Sequence, residues 1–125
     1  MMNAEGKMQN RKVDLADRTK LYARRIIRLV SALPKSVVAQ VLGKQVLCSG
    51  TSVGANYREA SRARSKAEFI AKMGDCLKEL GESEYWLDLL SEEKVVAPAK
   101  LAPLVEETRE LLAIFVTSIK TARKI

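Results

Sequence analysis

Gln45, Ser49, Ser52, Asn56 and Glu59 recur at alternating steps of four and three, a row that continues from Val38 and Leu42. On a helix this spacing puts a carboxylate, two amides and two hydroxyls on one stripe. Val46, Gly50, Val53 and Tyr57 lie to one side of it, with Val41, Cys48 and Ala55 to the other. A polar row flanked by apolar and small residues is expected to be largely buried. A buried polar group left unpaired costs about 1–3 kcal/mol, and an ionised Glu59 needs a cation or several donors. Arg62 is a local partner for it and Arg109 a distant one. Two roles stay open for the row. It sets helix register or a subunit interface through hydrogen bonds, as a buried Asn does in coiled coils, or it forms a ligand or catalytic pocket around Asn56 and Glu59.

Other reactive chemistry is sparse. The chain has no histidine, which removes the commonest neutral-pH base and metal ligand. Its two cysteines, Cys48 and Cys76, make neither a zinc site nor a Cys–His nucleophile. Counting outward from the turn near Ser65 puts them at similar heights on antiparallel helices, as small, inert core residues. No P-loop and no G-x-G-x-x-G occurs. The acids Asp75, Glu79, Glu82, Glu84 and Asp88 scatter over a solvated helix face. No enzymatic activity, cofactor or metal is expected.

Four helices must position these residues. The first is predicted over 14–33, on the seam Leu15, Thr19, Tyr22, Ile26, Leu29 and Leu33, and ends before Pro34. The second runs over 36–63, with Gly50 letting a partner helix approach its seam. The third covers 66–93 and opens with a capping box, Ser65-Lys66-Ala67-Glu68. Phe69, Met73, Cys76, Leu80, Leu87 and Leu90 mark its buried stripe, and Gly74 and Gly81 share one face. The fourth spans 100–123 on Leu101, Leu104, Thr108, Leu111, Phe115, Ile119 and Ala122, with Pro103 in its first turn. Residues 1–12 read as a disordered lead-in, and 13–125 as one all-α, antiparallel up-down-up-down four-helix bundle. The polar N-terminus lacks the apolar core of a signal peptide, no apolar run is long enough for a membrane span, and two cysteines suit a reducing cytoplasm.

Charge divides the 125-residue chain unequally. Through Ser65 there are 13 Lys/Arg against 4 Asp/Glu, a balance of +9; from Lys66 onward there are 9 against 11, a balance of −2. Such a split suits a phosphate-attracting surface, electrostatic complementarity between neighbouring copies, or a basic face that is simply solvated. The contacts expected to meet nucleic acid or a partner are Arg24, Arg25 and Arg28 on the first helix, with Arg58, Arg62, Arg64 and Lys66 around the second turn. Little aromatic interleaving is present for stacking single-stranded bases.

The block from Gln45 to Leu90 resembles the four-helix-bundle family of 23S rRNA intervening-sequence proteins. The resemblance rests on Ser49, Ser52, Asn56 and Glu59, the basic turn Arg62-Ala63-Arg64-Ser65, then Glu68-Phe69-Ile70 and Tyr85-Trp86-Leu87. Ala60 stands where many members carry glycine, and the string Gly54-Ala55-Asn56-Tyr57-Arg58 is similar to one subgroup. The resemblance implies a ring-shaped homo-oligomer, typically of five subunits, and some members are encoded within intervening sequences of 23S rRNA genes. It extends more distantly to accessory variability proteins of diversity-generating retroelements, which bind a reverse transcriptase and nucleic acid. It implies no activity. The expected function is therefore a non-enzymatic oligomeric bundle that binds RNA or DNA through its basic surface. The alternative is a scaffold for a protein partner such as a reverse transcriptase or another product of its locus, with a small-molecule or catalytic bundle behind both.

Overall fold

The computed structural model describes residues 14–124; the lead-in assigned to 1–12 lies outside them. Four helices follow in order: α1 (Leu15–Ser31), α2 (Val37–Ala60), α3 (Lys66–Glu92) and α4 (Pro98–Lys124), with no strand among the described residues. Three short connections force consecutive helices to run antiparallel, which gives the up-down-up-down bundle. Three of the four starts are set by the residues at and before the first turn. Asp14 accepts from the Asp17 amide, Ser36 from Ala39 and Ser65 from Glu68, at 3.0–3.2 Å. The box at Ser65 closes differently from its simplest form: Glu68 reaches back to the Arg64 amide at 3.2 Å. α4 begins two residues earlier than its pattern predicts, with Pro98 in the first helical position. That places Pro103 in the second turn, where a proline withholds the amide owed to the carbonyl four residues back.

The core is aliphatic and continuous. Tyr22, Ile26, Val46, Val53, Met73, Leu80, Leu87, Leu101, Leu111 and Phe115 are almost fully buried. Tyr57 of α2 meets Phe115 of α4 across the diagonal, edge to face, with ring centroids 6.0 Å apart. Between α1 and α2 the glycines act as seats. A Cβ added at Gly50 would fall 2.7 Å from Ile26 Cγ1 and 3.0 Å from Cγ2, and one at Gly54 would come 3.3 Å from Thr19 Oγ1. α1 and α4 seldom bring their backbones together. Arg18 joins them instead, donating twice to Glu107 at 2.8 Å and once to Glu110 at 2.7 Å. The hydrogen bond to Glu107 raises the Arg18 pKa further above an already high value.

The end of α3 carries a feature the sequence does not announce. Lys94 has φ 55°, the left-handed region, and follows Glu93, the residue that caps the helix. Val95 donates to Leu90 O at 3.0 Å and Lys94 to Ser91 O at 3.1 Å, the bond pattern of a Schellman motif, while the Val95 side chain packs on the core. Only glycine occupies that conformation without steric cost. Lys94→Gly is therefore expected to stabilise the fold by about 1 kcal/mol, seen as a melting temperature higher by about 3 °C. An unchanged or lower melting temperature would refute the assignment.

Candidate nucleic-acid interface

The polar row of α2 separates into members with different fates. Ser49 is 3% exposed, Ser52 and Asn56 are half-buried, and Gln45 and Glu59 face solvent. The row is therefore not buried along its length within this chain. The stripe expected to cover its outer side is itself uncovered, since Val41, Cys48 and Ala55 are all exposed. The cause is geometric: α2 packs against α1 through its glycines and against α3 through Val53 and Ser49, and its remaining flank meets no helix. Glu59 pairs with Lys72 of α3 at 2.7 Å rather than with Arg62 or Arg109, while Arg109 binds Glu84 at 2.9 Å. With a Glu59 side chain 58% exposed, that pair contributes little.

Ser49 points inward to a hydroxyl cluster that draws on every helix. Its Oγ lies 2.8 Å from Ser83 Oγ of α3, and the Tyr22 hydroxyl of α1 lies 2.7 Å from Thr108 Oγ1 of α4. Thr108 also donates to Leu104 O at 2.8 Å. Burial pushes the Tyr22 phenol up, and its interactions with Thr108 and Ser83 partly oppose the rise. No fully buried side-chain polar atom among the described residues lacks a hydrogen bond. Ser83 escapes a reading by residue type, although it stands between Leu80 and Leu87 on the buried stripe.

The cysteines do not pair in height. Cys76 is level with Val53, whose carbonyl lies 3.5 Å from its sulfur, and this contact and the Ser49–Ser83 contact put Cys48 roughly one and a half to two turns away. Cys76 is buried as expected, but Cys48 is exposed. Desolvation, aided by Asp75, pushes the Cys76 thiol up to about 12. At pH 8, and at a dilution that keeps copies apart, a thiol reagent should label one cysteine of the folded protein, Cys48, and reach Cys76 only in denaturant. Two equivalents consumed at equal rate under native conditions would contradict this placement.

The basic residues occupy three places. Arg24 and Arg28 are exposed on the outer face of α1, while Arg25 is half-buried and close enough to influence Tyr22. Arg62, Arg64 and Lys66 are exposed around the α2–α3 turn. Arg58 lines a groove of about 420 Å³ between α1 and α2, opposite Lys20, so α1 adds a cation outside the expected seven. None of the seven forms an ion pair among the described residues; the pairs found there use Arg18, Lys72 and Arg109. No group of three or more Cys, Asp or Glu able to hold a metal occurs among the described residues. No described helix is long and apolar enough to cross a membrane.

The sequence pattern of the family described as 23S rRNA-intervening sequence protein matches residues 11–117, most of the chain. The chain belongs to that family. The bundle is also similar to the crystal structure of a protein of unknown function from the S23 ribosomal protein family of Bacteroides thetaiotaomicron. The two share 37% identity and a TM-score of 0.79, over 84% of this chain and 97% of that one. No curated protein matches. The intervening-sequence protein motifs fall at distinct places in the bundle. Ser49 enters the core, Glu59 pairs with Lys72, and Ser65 and Glu68 cap α3. Tyr85 and Trp86 meet edge to face on the outer part of α3, with centroids 5.0 Å apart.

Proposed function

We propose that the protein is a non-enzymatic, self-associating helical bundle that binds RNA or DNA through sequence-independent phosphate contacts. The observation that carries this reading is the set of exposed cations without acidic partners. Arg24, Arg28, Arg58, Arg62, Arg64 and Lys66 stand on α1, α2, the turn that follows and the first residue of α3, whereas the described ion pairs involving Arg18 and Arg109 engage the acids of α3 and α4. Cations held by carboxylates inside a fold have little left to offer a phosphate; unpaired ones release counterions when they meet it. The family's name, which ties it to 23S rRNA intervening sequences, accords with a nucleic-acid partner. A second observation favours self-association: Val37 is 79% exposed and Val41 55%, on the flank of α2 that no helix of this chain covers. A ring of copies, with five as the number its resemblance suggests, in a reducing cytoplasm, completes the proposal.

Gel-shift titration with generic RNA and with duplex DNA, at roughly 50 and 200 mM salt, tests the binding. If six cations meet phosphates, affinity should fall on the order of 10³-fold between the two conditions. No shift at the lower salt would eliminate nucleic-acid binding and leave the protein-scaffold alternative. Sedimentation equilibrium tests the assembly, and a monomer mass at micromolar concentration would remove it.

A further inference from the structure

The groove between α1 and α2 has features that the rest of the basic surface lacks. Lys20 reaches it from α1 and Arg58 from α2, so two cations borne on different helices line one cavity of about 420 Å³. Its floor is low because Gly54 has no side chain there and sits directly against Thr19. Tyr57 also lines it, with its ring held against Phe115 in the core. The Tyr57 hydroxyl has no hydrogen-bond partner among the described residues. Thr51 and Ser61, which also border the groove, already donate to Leu47 O and Arg58 O at 2.7 and 2.8 Å. The free donors facing this space are thus an ammonium, a guanidinium and a phenol.

We infer that the α1–α2 groove seats a single backbone phosphate, held between Lys20 and Arg58 with the Tyr57 hydroxyl as its neutral donor. This rests on the nucleic-acid reading given above and assigns it a site. A tetrahedral oxyanion suits the set, because guanidinium and ammonium supply charge-assisted bonds from opposite walls and a neutral donor adds direction without charge. Asp17 lines the same groove near the start of α1, beside the Asp14 carboxylate that caps the helix. Asp17 acts on Lys20 and Asp14 on the Tyr57 hydroxyl, so these carboxylates oppose an anion in the groove and the seat depends on both cations together. The remaining exposed arginines then meet other phosphates of the same backbone, one each.

Four proteins are compared for binding to a generic single-stranded RNA across a salt series: the unaltered chain, Tyr57→Phe, Lys20→Met with Arg58→Met, and Arg24→Met with Arg62→Met. On single-stranded RNA each phosphate contact contributes about 0.7 to the slope of log affinity against log salt, so the Arg24/Arg62 pair, on two separate phosphates, should lose about 1.4. The Lys20/Arg58 pair shares one phosphate and should lose about 0.7. Tyr57→Phe keeps the ring against Phe115 and should weaken binding roughly threefold to tenfold with the slope unchanged. Inorganic phosphate, followed by amide shifts of Lys20, Thr51 and Gly54, probes the groove without RNA; those shifts should move in the unaltered chain and stay still in the Lys20/Arg58 variant. If RNA binds but neither the tyrosine nor the groove cations alter it, the seat is wrong and the nucleic-acid reading stands. If RNA fails to bind while phosphate moves the groove amides, the seat is right for a small anion and the nucleic-acid reading falls. If phosphate moves nothing and RNA does not bind, both fall.

Discussion

Gly50→Leu should lower the melting temperature by about 5 °C. The position has room for a hydrogen and nothing larger: even a Cβ would come 2.7 Å from Ile26 Cγ1 and 3.0 Å from Cγ2, atoms close to the α1 backbone that cannot swing away. Ile26 is fully buried, so it has no empty volume to move into. Overpacking a core by a few carbons costs typically 1–3 kcal/mol and occasionally more. Exchanging a helical glycine for leucine returns a little under 1 kcal/mol in propensity, and the clash should prevail. Gly74 and Gly81 provide the comparison, since a Cβ at either meets nothing within 4 Å. Alanine there should stabilise by nearly 1 kcal/mol each. Thermal melts of the three variants measure the contrast. A Gly50→Leu protein that melts with the unaltered chain would show that α1 and α2 do not approach as closely as described.

The largest loss from one truncation is expected at Phe115→Ala, about 3–5 kcal/mol. Phe115 is fully buried on α4 and reaches across the bundle to Tyr57 on α2, so its removal empties the middle of the core. α1 and α2 sit closely enough to resist closing over the void, and the cavity penalty adds to the lost transfer energy. A domain of this size is stable by about 5–15 kcal/mol, so the variant should remain folded but unfold at much lower urea concentration. Phe115→Leu fills most of the space and should lose markedly less. Urea midpoints within experimental error of the parent for Phe115→Ala would refute the central placement of this ring.

The fold is legible in the chain because each helix states its inner face by spacing and three of them state their beginnings. Thr19, Tyr22 and Ile26 on α1, and Leu104, Thr108, Leu111 and Phe115 on α4, are buried as their steps of three and four require. Ser65 and Glu68 fix the start of α3 within one residue. The outer side of α2 is not legible in the same way. Val41, Cys48 and Ala55 have the composition of a covered stripe, and composition cannot distinguish a stripe covered by this chain from one left open by it. Lys94 is hidden for another reason: its left-handed backbone is held by the Val95 and Lys94 amide bonds, and a lysine gives no hint of a position that usually belongs to glycine. For the basic surface, the seven arginine and lysine positions are visible, but their grouping is tertiary. Arg25 is half-buried while Arg24 and Arg28 are exposed, and Lys20 joins Arg58 only because Gly54 draws α1 and α2 together.

The hydroxyls of Tyr22, Ser49, Ser83 and Thr108 give this interior an alignment key. Leucines and valines are nearly interchangeable partners, so a bundle made from them alone tolerates one rod sliding a turn past its neighbours. Sliding any rod here would strand an oxygen in hydrocarbon. The greasy positions should therefore accept extensive shuffling, while these four hydroxyls dictate which shuffled sequences still settle on one arrangement.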